Sequence, residues 1–217
     1  MRPAAQPLGL LGGTFDPVHI AHLRLALEAI EALGLERVRW IPSGRPGHRG
    51  VPRATANERL SMLRLALAGE PRFAIDEDDA RSDEPTYTVH TLERLRRELG
   101  PALPLVLIVG ADHLRGLHTW RDWRRLLEHA HIAVAQRPGH AIARAALDPE
   151  VALEYDRRLA PPAALAASPG GAITVFTMTP LDISASAIRE ALAAGRNARY
   201  LLPDRVLDYI EAKHLYR

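Results

Sequence analysis

The sequence contains no cysteine, which removes thiolate nucleophiles, disulfides and cysteine-based zinc sites from consideration. Its only lysine is Lys213. Without a Gly-Lys pair there is no Walker A phosphate loop, and a lysine so near the end is poorly placed for Schiff-base chemistry in a core. No apolar run approaches the length of a membrane span. Met1 to Pro7 leads into a short apolar stretch and glycines, not a secretory signal, so the expectation is a cytoplasmic protein without a membrane partner. No block of five like charges occurs, and 28 basic against 26 acidic residues leave a net charge of +2. Nothing therefore calls for a nucleic-acid partner.

What is present suits one α/β domain over residues 1–217: hydrophobic residues make up 47% of the chain and charged residues 25%, ordinary globular usage. Strand-like and helix-like patterns alternate. Leu8 to Leu11 is a short apolar run ending in Gly12-Gly13. Leu23, Ala26, Leu27, Ile30 and Leu33 then recur at helical spacing, closed by Gly34. Val38 to Ile41 reads as a strand stopped by Pro42, Asn57 to Ala68 as a helix before Gly69, and Phe73 to Ile75 as a brief strand. Val89 to Leu99 is a third helix, and Leu105 to Val109 is uniformly apolar, as in the buried centre of a parallel sheet. Trp120 to His129 reads as helix, and His131 to Ala135 and Ile173 to Phe176 as strands. A helical part over about 184–217 closes the chain, with Pro203 suited to a first helical position. The Ala/Pro/Gly-rich stretch over about 138–171 reads as a surface excursion with one helix near Glu150 to Leu159. Such alternation predicts a Rossmann-like, doubly wound parallel sheet. Ligands of such sheets bind beyond the carboxyl ends of the strands, where strand order reverses.

Two loops carry chemistry. Gly12-Gly13-Thr14-Phe15-Asp16-Pro17-Val18-His19-Ile20-Ala21-His22 bridges the first strand and first helix. Glycines permit close approach of a bulky anion, the helix start offers N–H groups to phosphate, and His19 and His22, three apart, share one face of the opening turn. Alone, this would be a tight turn with two surface histidines. Near the other end, Ile183-Ser184-Ala185-Ser186-Ala187-Ile188-Arg189 opens a helix, with Ser184 or Ser186 as N-cap and Arg189 within reach of a phosphate at that helix end. Alone, this would be an ordinary capped helix.

Together these strings resemble the two signatures of the nucleotidylyltransferase superfamily, Gly-x-Phe-Asp-x-x-His-x-Gly-His and Ile-Ser-Ser-Thr-x-Ile-Arg. Ala21 stands for the glycine of the first, and Ala185 and Ser186 fill the middle of the second. Pro85-Thr86-Tyr87-Thr88, Gly110-Ala111-Asp112 with Thr119-Trp120, and Gln136-Arg137-Pro138-Gly139 narrow the resemblance to the bacterial nicotinate mononucleotide adenylyltransferases. It extends over nearly the whole chain, including the ending Leu202-Pro203 through Tyr209-Ile210 to Leu215-Tyr216-Arg217.

The resemblance implies adenylyl transfer from ATP to nicotinate mononucleotide, giving deamido-NAD and pyrophosphate. It implies catalytic roles for His19, His22 and Arg189. ATP would meet Gly12, Gly13, Thr14, Phe15, both histidines, Arg137, Ile183, Ser184, Ser186 and Arg189. The mononucleotide would meet Thr14, Asp16, a closing His48-Arg49 loop, backbone N–H groups near Thr86 and Tyr87, Asp112 and the ring of Trp120. Mg²⁺ would be held mainly by the ATP phosphates, with no protein cage. A homo-oligomer is compatible with this reading. The alternatives are a related nucleotidylyltransferase for another phosphorylated acceptor and a nucleotide-binding sensor that has lost turnover. Class I aminoacyl-tRNA synthetases share a similar His-x-Gly-His element, but they are longer and pair it with a lysine-rich motif absent here.

Overall fold

The computed structural model describes residues 6–46, 51–139 and 141–217. In chain order its elements are β1 (Leu8–Gly13), α1 (Ile20–Leu33), β2 (Arg37–Pro42), β3 (Arg45–Pro46), α2 (Ala56–Leu67), β4 (Phe73–Ile75), α3 (Asp78–Arg81), β5 (Pro85–Thr86) and α4 (Thr88–Leu99). There follow β6 (Leu105–Gly110), α5 (Ala111–Arg115), α6 (Trp123–His129), β7 (His131–Gln136), α7 (Pro149–Arg158), β8 (Ile173–Thr177), α8 (Ala185–Ala193) and α9 (Asp204–Ala212).

Six strands form one sheet in the order β4-β2-β1-β6-β7-β8, every neighbouring pair parallel. The expected doubly wound architecture is therefore the observed one. The chain winds outward from β1 through β2 to β4, then returns to lay β6 on the other side of β1. The switch in direction thus falls between β1 and β6, whose carboxyl ends frame a crevice.

Period-two alternation with both faces covered explains the apolar run of β6. Leu105, Leu107 and Val109 enter one buried cluster with Leu92, Leu95 and Leu126. Val106 and Ile108 enter the opposite cluster with Ala26, Ile30 and Leu63. The helices end by familiar chemistry. Gly34 takes a left-handed φ of 63° and donates its N–H to Ile30, closing α1 at a conformation glycine adopts without steric cost. Thr55 and Glu58 form a reciprocal capping box at the start of α2.

Several expectations change. Trp120 to Asp122 is not helical: a 3₁₀ turn spans Leu117–Thr119, Trp120 is extended, Asp122 is left-handed at φ 49°, and α6 starts only at Trp123. Helical spacing of apolar residues continues through this break because Trp120 and Trp123 both face packed surroundings. Pro203 sits at the N-cap of α9 and not at its first position, with ψ at 140°. The stretch 138–171 does hold a helix, α7, but is less superficial than expected, since Leu147, Val151, Ala152 and Leu165 are buried. The pair β3–β5, a small parallel sheet of its own, is too short to show periodicity. Among the described residues no helix is long and apolar enough to cross a membrane.

Candidate active site

β1 delivers Gly12 and Gly13 to the crevice, and the chain then turns through Phe15 at a positive φ of 50°. That turn sends the Phe15 ring inward against Trp40 (centroids 5.3 Å apart) and edge-on to His22 (5.2 Å). His19 caps α1, and its ring stacks on that of His22 at 3.7 Å and 22°. The His19 backbone N–H donates to His22 Nδ1 at 3.3 Å, a bond only an unprotonated Nδ1 can accept. It assigns the neutral ring's proton to Nε2. Where the sequence suggests a row of free N–H groups at the start of α1, the Ile20 amide is already taken by the Leu201 carbonyl at 3.0 Å.

His19 differs from His22. It is buried, and its Nδ1 lies inside without a hydrogen-bond partner. Burial pushes its pKa down to about 4, so it is a neutral ring packed behind His22. His131 is a second buried imidazole: Nε2 meets the Ser168 carbonyl at 2.8 Å and Nδ1 accepts the Ala172 N–H at 3.0 Å. Burial lowers its pKa as well. Both groups titrate lower in the folded chain than unfolded, so the unfolded chain binds their protons first. The contribution is complete above pH ~6.5 and is lost as pH falls towards about 4 for His19. The urea midpoint should therefore fall across this window, as each proton taken up on unfolding removes up to about 1.4 kcal/mol of stability per pH unit. A midpoint flat from pH 6.5 to 4 would contradict it.

A buried scaffold of charge holds the turn in place. Arg59, 1% exposed, donates to the carbonyls of Thr14 (2.8 Å), Ser43 (2.6 Å) and Gly44 (3.1 Å), joining the loops that follow β1 and β2. Gly44 packs so closely that a Cβ there would lie 2.3 Å from the Asp79 carbonyl. The Asp16 carboxylate accepts the backbone N–H groups of Arg53 and Ala54. From the far end of the chain, Arg189 Nη1 donates to the Asp16 carbonyl at 2.7 Å and Nη2 to Ser186 Oγ at 3.2 Å. Ser184 caps α8 through Ala187 N–H, so the cap is Ser184 and not Ser186.

These groups open on one cleft of about 530 Å³. Gly12 to Asp16 and His22 form one side, Ala185, Ser186 and Arg189 another. The third comes from the ends of β5 and β6: Thr86 to Thr88, Gly110, His113 and Trp120. Trp120 stands edge-on to His113 at 5.9 Å. Arg121 covers the Tyr87 ring at 4.8 Å. Tyr87 is the N-cap of α4 and gives it no side-chain hydrogen bond, so the first-turn N–H groups of that helix have no capping side chain. Nearby Asp79 accepts Thr91 Oγ1 at 2.6 Å, and burial raises its pKa.

Not every expected residue reaches the cleft. The Asp112 side chain is 89% exposed and paired with Arg115 at 2.8 Å; a place just past a strand end does not by itself aim a side chain at the crevice. Arg137 is exposed and 3.8 Å from Asp182. Ile183 and Ser184 stand back from the wall, Ser184 as a cap. His48 and Arg49 lie outside the described residues. Conversely, Arg59 and Tyr216 bind the first loop from behind, roles that no motif announces. Their partners are mostly backbone carbonyls or a distant carboxylate, and spacing carries no trace of such contacts.

The model of the cytidylyltransferase-like family matches residues 10–191. A Dechloromonas aromatica protein named "Probable nicotinate-nucleotide adenylyltransferase" is 57% identical over 214 residues, 98% of this chain and 99% of its own. A Pseudomonas aeruginosa protein of the same name is 46% identical over 213 residues, 97% of each. Among solved structures, a Plasmodium falciparum nicotinic acid mononucleotide adenylyltransferase complexed with NaAD matches with a TM-score of 0.72 over 97% of each chain, at 17% identity. That is a likeness of fold.

Proposed function

The chain belongs to the nicotinate-nucleotide adenylyltransferases of the cytidylyltransferase-like family, and on that premise we propose that its cleft joins ATP to nicotinate mononucleotide, forming deamido-NAD and pyrophosphate in NAD biosynthesis. The observation that carries this reading is the meeting of the two signatures: Arg189 donates to the Asp16 carbonyl, 173 positions earlier, and shares the cleft with His22.

The acceptor's phosphate, with a second pKa near ~6, is mostly dianionic at neutral pH. It therefore attacks the α-phosphorus of ATP without a protein base. The new P–O bond forms as the bond from the α-phosphorus to the bridging oxygen breaks, and pyrophosphate leaves. The protein's contribution is positioning and charge. His22 offers Nε2–H to the α-phosphate. Arg189 and the N–H groups of Ala185 and Ser186, at the start of α8 ahead of the capped Ala187, hold the β- and γ-phosphates. A Mg²⁺ ion would come with ATP as part of the substrate and would supply charge neutralisation for the polyphosphate. The N–H donors of His22 and Arg189 on the cleft wall suit phosphate oxygens.

On the acceptor side, the uncapped start of α4 presents N–H groups and a positive dipole end to the nicotinate carboxylate, and Trp120 gives its ring a face to stack on. Trp120→Ala should raise KM for the mononucleotide by about tenfold or more, as loss of an aromatic stack does, while KM for ATP moves little. Equal rises would argue against stacking. The reaction itself is tested by product counting. Pyrophosphate and deamido-NAD should appear one for one, and only when both substrates are present. Pyrophosphate released from ATP alone, or none at all, would overturn the assignment.

A further inference from the structure

Past α9 the chain turns back through His214 and Tyr216, both at positive φ (53° and 63°), and buries the Tyr216 ring to 7% exposure. Its hydroxyl donates to Asp16 Oδ1 at 2.7 Å. The same oxygen accepts Ala54 N–H at 3.1 Å and Oδ2 accepts Arg53 N–H at 2.8 Å, so three of the carboxylate's roughly four acceptor positions are filled. The Asp16 carbonyl receives Arg189. Asp16 is thus the joint of three distant segments: the loop entering α2, whose Pro52 and Arg53 line the cleft, the arginine of the second signature, and the segment after α9. The protein itself thus takes up most of this carboxylate, while Asp16 still lines the cleft.

We infer that Tyr216 is a positioning residue for adenylyl transfer, holding Asp16 so that Arg189 and the Arg53–Ala54 segment meet the substrates in fixed geometry. Tyr216 is absent from the cleft wall and touches no substrate. Burial and the hydrogen bond to Asp16 both hold its ionisation far above the usual tyrosine range, so it remains a donor throughout the working pH. The Arg59 guanidinium adds a counter-charge to Asp16. Removing the hydroxyl would leave Asp16 Oδ1 short of one donor in a water-poor site. The carboxylate could then shift and carry its backbone carbonyl, and hence Arg189, with it. Catalysis by positioning is sensitive to such small displacements.

The inference rests on the adenylyl-transfer reading, and the experiment separates the two. Tyr216→Phe keeps the ring and its packing while deleting one charge-assisted hydrogen bond. kcat should fall about tenfold, with KM for both substrates nearly unchanged and the thermal midpoint lowered only by the few degrees that one lost buried hydrogen bond costs. In a double-mutant cycle with Asp16→Asn, the paired variant should be no slower than Asp16→Asn alone. A lower midpoint with unchanged kcat would make Tyr216 a packing residue and overturn the inference, as would losses that simply multiply. A wild-type chain inactive with both substrates would overturn the adenylyl-transfer reading and this inference with it.

Discussion

His22→Ala is expected to lower turnover at saturating ATP by about 10²–10³, the usual cost of removing one donor aimed at transition-state charge, while the chain stays folded. The imidazole lines the cleft and has its proton fixed on Nε2 by its neighbour's backbone. The fold should tolerate the change. His22 is only partly buried near the start of α1, and alanine is the better helix former. Its ring packs on those of Phe15 and His19, and giving up that packing costs a modest fraction of total stability. His19→Asn should behave differently, costing more stability and less turnover, because His19 is buried behind His22. The check is a pair of numbers for each variant, steady-state kcat and thermal midpoint. Unchanged kcat in His22→Ala would refute its role.

Arg189→Met should cost about a hundredfold or more in kcat/KM, and Arg189→Lys should recover little of it. The guanidinium spans two acceptors at once, the Asp16 carbonyl and Ser186 Oγ, and its Nε is buried without a partner. A buried donor of that kind calls for an acceptor, and a phosphate oxygen supplies one with matching charge. An ammonium on a flexible stem reproduces neither the fork nor the span. Steady-state titration of ATP measures this directly. If Lys restored full activity, the contribution of Arg189 would be net charge alone, and its fixed geometry would not matter.

Much of this is legible in the sequence. The uniformly apolar Leu105 to Val109 announces a strand covered on both faces, and it is the central β6. Gly34 marks the end of α1, and it is the left-handed cap. The two signatures lie far apart in the chain, yet strand–loop–helix placement suffices to bring both to the same end of the sheet. Illegible are features set by tertiary contact alone. The helical pattern around Trp120 conceals a turn and an extended residue that place Trp120 on the cleft wall. Asp112 stands in the right loop but faces solvent beside Arg115. Arg59 reads as one polar residue on an amphipathic helix, and only the folded chain shows it collecting three loop carbonyls.

The central claim is that two helix starts divide the substrates' charge between them, α8 with Arg189 taking the polyphosphate and α4 taking the acceptor's carboxylate. Pyrophosphate release with ATP and either nicotinate or nicotinamide mononucleotide, run in parallel, tests it most directly. The two acceptors differ only in the charge and hydrogen-bonding of one ring substituent. The prediction is a kcat/KM for nicotinate mononucleotide at least about a hundredfold higher, the discrimination expected of a site built around that group. Equal rates, or a preference for the amide, would contradict it.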